Sequence, residues 1–375
     1  MTISLAKACL AVSLAARCAV GAPGQTLLSV DAAPLTTFRP RTVGVSSLGG
    51  AGAGITAAAD VRRLIAPRSP DSSAISAVML DASGTLAVRT ITDSGTSAAI
   101  TAATGVPVTT PAPVAAAYFS PSGTLVLAYA SAGSTACTLR TFTGGAFTAA
   151  VTAPFTLSST PARVELATRP GSNEVLLVAQ DSTQNLAATI WNGTAFRATE
   201  TLDNAYTGGT KRWDLAWTPS GTPVVAWVRA AETALRARHL VSSRWTTPTG
   251  TPTLAAAINR VTLATNPTFR TGGAAAAIAS DSGEIVVADI GASSWSSAIS
   301  IATNADTTLD NPLDLAFEGR GGGLVCAWLP GTADRASLRR RDSSGIWAAA
   351  TTTAAMDRGC RRSGWSRKTP PTAWS

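Results

Sequence analysis

Five arginines stand where an anionic group could be held. Arg163, Arg212, Arg260 and Arg362 each lie three residues before an apolar residue (Leu166, Leu215, Leu263, Trp365), and Arg62 lies two before Leu64, one position off that phase. The apolar residues belong to a series spaced by about 50 residues. Pro113 and Pro312 fill the same place in two further copies. A guanidinium presents a planar fork of donors that fits a carboxylate, sulfate or phosphate, so arginines gathered at one place would form a positive collar for such a group. A structural reading stands beside this one and is favoured over it. Arg163 precedes Glu165 and Arg212 precedes Asp214 by two residues, which puts each pair on one face of a strand, where it would staple neighbouring repeats.

Other chemistry is thinly supplied. The single histidine, His239, sits between Arg238 and Leu240 in a strand-like run and reads as structural or exposed, not as a catalytic base. No GxSxG, HExxH or phosphate-loop sequence occurs, and the run Gly49–Gly54 lacks the following lysine a phosphate loop needs. Cys137, Cys326 and Cys360 are odd in number and lack CxxC spacing, so neither a disulfide framework nor a zinc site is indicated. No acidic pair stands out for glycoside hydrolysis. No metal, cofactor or catalytic residue is expected.

The elements that would position the arginines are short strands. Residues 211–250 hold four apolar runs, each closed by a Pro, Gly or Ser turn, with period-two alternation and β-branched or aromatic enrichment. That is a four-stranded antiparallel meander. The second run recurs with centres at Leu28, Ala77, Val126, Leu176, Val225, Ala276 and Val325, steps of 49 to 51 residues. The fourth opens with Phe147, Phe196, Trp245, Trp295 and Trp347, with Ser97 in the earlier copy. The first is marked by Leu64, Ala116, Leu166, Leu215, Leu263 and Leu315, and one period further lands on Trp365. These counts predict an all-β, seven-bladed β-propeller of four-stranded antiparallel blades. Its ring would be closed by the C-terminal segment around Trp365, joining three N-terminal strands as the missing innermost one. The arginines would then cluster near one mouth of the central channel.

Phe119-Ser-Pro-Ser-Gly-Thr-Leu125 and Trp217-Thr-Pro-Ser-Gly-Thr222 resemble the strand–turn–strand segment of WD-repeat and related bacterial β-propellers. The Gly-His and Trp-Asp dipeptides of true WD repeats are missing, and the chain is more similar to secreted bacterial propellers whose blades run strand, Gly turn, aromatic, strand. The resemblance implies a fold over residues 26–366 and leaves activity open, since propellers serve as enzymes, lectins and scaffolds. The sialidase Asp-box is approached only at Ser280–Gly283 and Asp342–Trp347, both with wrong spacing.

The totals agree with many short strands of small side chains: 45% hydrophobic, 6% aromatic and 14% charged over 375 residues. Half of the net charge of +8 comes from Arg358, Arg361, Arg362, Arg367 and Lys368 against Asp357, so the charge reads as a solvated tail and no nucleic-acid partner is expected. Residues 1–23 resemble a secretory leader, with Lys7, an apolar run to Leu14 and small residues near Ala22. The expected layout is a leader at 1–23, a propeller at 24–366 and a tail at 367–375. The expected protein is a monomer without a transmembrane segment, secreted, periplasmic or at the cell surface. It would bind a protein or a glycan through one face of the propeller, without catalysis. The alternative is a propeller-type carbohydrate-active hydrolase or lyase. Trp213, Trp217 and Trp227 would be either core filler or sugar-stacking platforms.

Overall fold

The alternating runs become strands. The computed structural model describes residues 61–353, apart from short stretches within that span. The leader, the Leu28 copy, the glycine run, Arg362, the Trp365 segment and the C-terminal tail lie outside the described residues. The described part is all-β: six antiparallel sheets follow one another along the chain, each a four-stranded meander with strands paired in sequence order. This is the blade unit of a β-propeller repeat protein.

The first strands are Val61–Ile65, Val114–Tyr118, Pro161–Thr168, Trp213–Trp217, Ile258–Ala264 and Leu313–Phe317, in sheets 1 to 6 respectively. Each pairs with the next strand along the chain: Ile75–Asp81, Leu125–Ala130, Val175–Asp181, Pro223–Trp227, Ala274–Ser280 and Leu324–Trp328. In sheets 1 and 2 the fourth strand is split into two short pieces. The expectation of seven blades is therefore corrected to six. Six first strands meet six second strands within their own repeats, and each of the six described sheets already has its first strand. The seventh centre, Leu28, had no first-strand marker of its own, and counting it created a vacancy for the tail to fill.

The described residues fall into two compact units. One reaches to Tyr206 and includes Leu240–Trp245; the other takes residues 207–239 and those from 246 onward. Within each, the second strands are buried on both faces. Leu125, Leu127 and Tyr129 pack towards sheet 1, with Val78, Leu80 and Leu86, while Val126 and Ala128 pack towards sheet 3, with Val175, Leu177 and Ala179. In the other unit Ala274, Ala276 and Ile278 pack towards sheet 4 and Ala275, Ala277 and Ala279 towards sheet 6. Strand alternation thus feeds two core layers from one strand, and alanine lets successive sheets approach closely. Gly84 and Gly283 serve the same close approach: with φ of 80° and 81°, each sits where a Cβ would come within 2.8 Å of a backbone oxygen, of Val106 and Ala305 respectively.

Arginines of the third strands staple successive sheets. Arg140 donates through Nε to Thr148 O at 2.9 Å and through Nη1 to Ala102 O of sheet 1, lying over the Phe147 ring. Arg339 repeats this set, donating to Ala348 O at 3.0 Å and to Ile301 O of sheet 5 at 3.2 Å, over the Trp347 ring. Arg89 and Arg238 hold the same register position in their sheets. This second arginine period was not anticipated from the sequence. Beside Arg339, Arg341 makes a bidentate pair with Asp289 of sheet 5, both bonds at 2.7 Å, with the arginine buried and the aspartate half-open. Replacing Arg341 by alanine should lower stability by roughly 1–2 kcal/mol, less than for a fully buried pair because water still reaches Asp289. Urea denaturation of the variant measures it.

Candidate functional site

The first strands carry the candidate arginines at one shared register position, and a β-bulge decides which arginines those are. In sheets 1, 3 and 5 the pairing of first and second strands slips between Val61 and Arg63, between Pro161 and Arg163, and between Ile258 and Arg260. The residues after the bulge face Leu80, Gln180 and Ala279. In sheets 2, 4 and 6 the position belongs to Pro113, Arg212 and Pro312, whose carbonyls accept from the N–H groups of Ala130, Val228 and Leu329 at 2.9 to 3.1 Å. Arg163, Arg212 and Arg260 thus hold equivalent places, as expected. Arg62 does not: it is the exposed bulge residue, and Arg63 takes the equivalent place. Arg362 lies outside the described residues.

Two residues on, facing the same side, comes a second row: Ile65, Ala115, Glu165, Asp214, Thr262 and Asp314. Its acids share one local pattern, a carboxylate between two apolar residues: Val164-Glu165-Leu166, Trp213-Asp214-Leu215 and Leu313-Asp314-Leu315. In the unit that ends at Tyr206, burial lowers the Arg63 guanidinium below its ordinary value, while the charge of Glu165 opposes that fall.

In the other unit the acids have different fates. Asp214 Oδ1 meets Lys211 Nζ at 3.1 Å, and Oδ2 accepts from Leu263 N at 2.8 Å and Thr262 Oγ1 at 3.3 Å on the next sheet. Asp214 is therefore a staple, though through a lysine and a backbone amide. Arg260 donates to Lys211 O at 3.3 Å, which brings its guanidinium to the same cluster. Asp314 carries a carboxyl open to solvent, yet protein closes round it enough to penalise its charge. That desolvation raises its pKa above the ordinary carboxylate value; its own bond from Leu315 N and the charges of Arg260 and Lys211 pull the other way, and the charge of Asp214 adds to the rise.

A carboxylate raised in the fold ionises more readily in the unfolded chain, so its contribution to stability falls as pH rises from the unfolded value through the folded one. Asp314→Asn is expected to raise the melting temperature at pH 7, and the gain should vanish near pH 3. Scanning calorimetry at the two pH values tests this.

The remaining candidates have structural jobs. His239 is fully buried in sheet 4, its Nδ1 bonded to Ala292 O at 2.9 Å and its Nε2 accepting from Trp295 Nε1 at 3.1 Å. Trp213, Trp217 and Trp227 are all buried, so none offers a sugar-stacking face. Asp342, from the nearest approach to an Asp-box, caps its own hairpin by accepting from Ser344 N at 2.9 Å and Ile346 N at 3.0 Å. The equivalent of the fourth-strand aromatics in sheet 1 is Thr96, not Ser97. Ser97 matches Thr148 and Ser296, which follow the aromatics and, like it, bond back to the third strand. Cys137 and Cys326 are buried thiols, and burial pushes the Cys137 thiol far up, out of the reactive range. No cluster of His, Cys, Asp and Glu able to hold a metal ion occurs among the described residues, and no described helix is long and apolar enough to cross a membrane.

No family model matches the chain, and no curated protein matches it. Among solved structures it is similar to AofleA from Arthrobotrys oligospora, at 13% identity over 78% of this chain and 86% of that one, with a TM-score of 0.46. It is also similar to the fucose-specific lectin of Aleuria aurantia, a six-bladed β-propeller, at 10% identity over 79% and 96%, with a TM-score of 0.44. A functionally unknown protein from Desulfotomaculum acetoxidans aligns at 12% identity over 84% and 91%, with a TM-score of 0.46.

Proposed function

We propose that the protein is a non-catalytic binding protein that takes the anionic group of a glycan on the charged face of its first strands. The observation that carries this reading is the exposed carboxylate of Asp314 on a first strand, with the charges of Arg260, on the preceding first strand, and of Lys211, whose carbonyl Arg260 holds, acting on it. Rigid strands fix such groups more closely than loops do.

Binding is favoured over turnover by the state of Asp214. Hydrolysis by a carboxylate pair needs a second carboxylate free to act as base or nucleophile. Both Asp214 oxygens are already engaged, by Lys211 and by the next sheet. The leader-like residues 1–23 support a secreted or periplasmic placement.

An array of uronic-acid, sulfated and neutral glycans, followed by a reducing-sugar assay on any that bind, tests the reading. Binding of acidic members without release of reducing ends supports it, and Arg260→Ala should then weaken binding about tenfold, the scale of one charge-assisted bond. Release of reducing ends would reassign the carboxylates to hydrolysis. Equal binding of neutral and acidic members would remove the role given to the cations.

A further inference from the structure

Asp214 and Asp314 hold the same register position two repeats apart, opposite Ala226 and Ala327. Asp214 is spent on the fold. Asp314 is not: among the described residues its carboxylate accepts a single hydrogen bond, from its own neighbour Leu315 N at 2.8 Å. A carboxylate has about four lone-pair sites, so most of the accepting capacity of this exposed side chain is not used by the described residues. Arg260 and Lys211 lie close enough for their charges to act on it, and so does Asp214.

This arrangement is poor for a simple anion. A bare carboxylate or sulfate drawn to Arg260 and Lys211 would meet a second negative charge, which costs affinity. The same geometry suits a ligand that brings a hydroxyl beside its anionic group. A hydroxyl both donates and accepts, so it can partner Asp314 in either protonation state. A site built to hydrogen-bond a hydroxyl also rejects analogues that lack it, because its own polar group is then left without a partner.

We propose that Asp314 reads a hydroxyl of the ligand, so that the site takes an acidic sugar, a carboxylate with ring hydroxyls beside it, in preference to a bare anion. This rests on the anion-binding reading above and narrows it. The probes are D-glucuronate and cyclohexanecarboxylate, which share a six-membered ring and a carboxylate and differ in the hydroxyls. Binding of each to the full chain is measured by titration calorimetry, with a melting curve for every variant to confirm that it folds.

The wild-type protein is expected to prefer glucuronate by about tenfold or more. Asp314→Ala should weaken glucuronate and strengthen cyclohexanecarboxylate, since it removes both the hydroxyl's partner and the opposing charge, and the ratio should fall towards one. Asp314→Asn, which keeps a donor and an acceptor, should retain a preference for glucuronate. If neither probe binds, the anion-binding reading and this inference fall together. If both bind equally, or if the preference survives in Asp314→Ala, the inference is overturned while the anion site stands.

Discussion

Trp217→Ala should cost about 3–5 kcal/mol, the range for emptying a buried aromatic site, and should shift the urea midpoint more than any surface change in the molecule. The reason lies in the composition of the core. In sheet 5 the second strand reads Ala-Ala-Ala-Ala-Ile-Ala-Ser, every residue buried, and alanine methyls contribute little apolar area each. Stability is therefore concentrated in a few large side chains. Trp217 is one of the largest of them, with no exposed surface, on a strand that also takes Thr265 Oγ1 as partner for its backbone N–H at 3.0 Å. Trp217→Phe, which keeps most of the volume, should cost less than half as much. A loss below 1 kcal/mol for the alanine variant would mean that the site collapses, contrary to this account of the core.

Acidification should weaken the fold through His239. Its ring is neutral where it lies: Nδ1–H donates to Ala292 O and Nε2 accepts the indole N–H of Trp295. A second ring proton would set N–H against N–H. Burial is the main cause holding the pKa below its ordinary value, with the bond to Ala292 opposing it. The unfolded chain thus binds the proton first. The histidine's contribution is fully present above the unfolded pKa of about 6.5 and is lost as pH falls through that value towards the lower folded one. Melting temperature measured from pH 7.5 down to 5 should decline in the wild type, before most carboxylates titrate. His239→Leu should flatten that decline and lower stability at pH 7.5 by roughly 2–4 kcal/mol, because the Trp295 N–H and Ala292 carbonyl each lose a buried partner. An unaltered slope in the variant would show that another group carries the acid sensitivity.

The repeat was legible because strand alternation and turn residues are local signals, and a period near 50 residues repeats them often enough to stand out. The blade count failed by one for a different reason. The series of second-strand centres runs one copy further, to Leu28, and invites the Trp365 segment as the first strand missing there, whereas the six first-strand markers from Leu64 to Leu315 match the six described sheets. Arg62 was misplaced because Leu64 is not the equivalent of Leu166: the same bulge precedes Arg63 and Arg163, which lie two periods apart, so the residue in phase is Ala66. Arg89, Arg140, Arg238 and Arg339 keep the same period on the third strand, and their stapling role depends on carbonyls of the preceding sheet, which no local pattern displays. Asp214 and Asp314 were visible as acids between apolar neighbours. What separates their roles is which oxygens the next sheet occupies, and that depends on contacts between residues about 50 apart in the chain.

Because every described sheet is completed by neighbouring stretches of its own chain, most pairing partners are near one another in sequence. Loop-closure entropy for each meander is small, and a nascent chain can finish one sheet before the following one leaves the ribosome. The same economy makes the unit portable in a genome. Duplicating or deleting one such stretch in phase adds or removes a whole sheet and leaves no strand without the partners of its own meander.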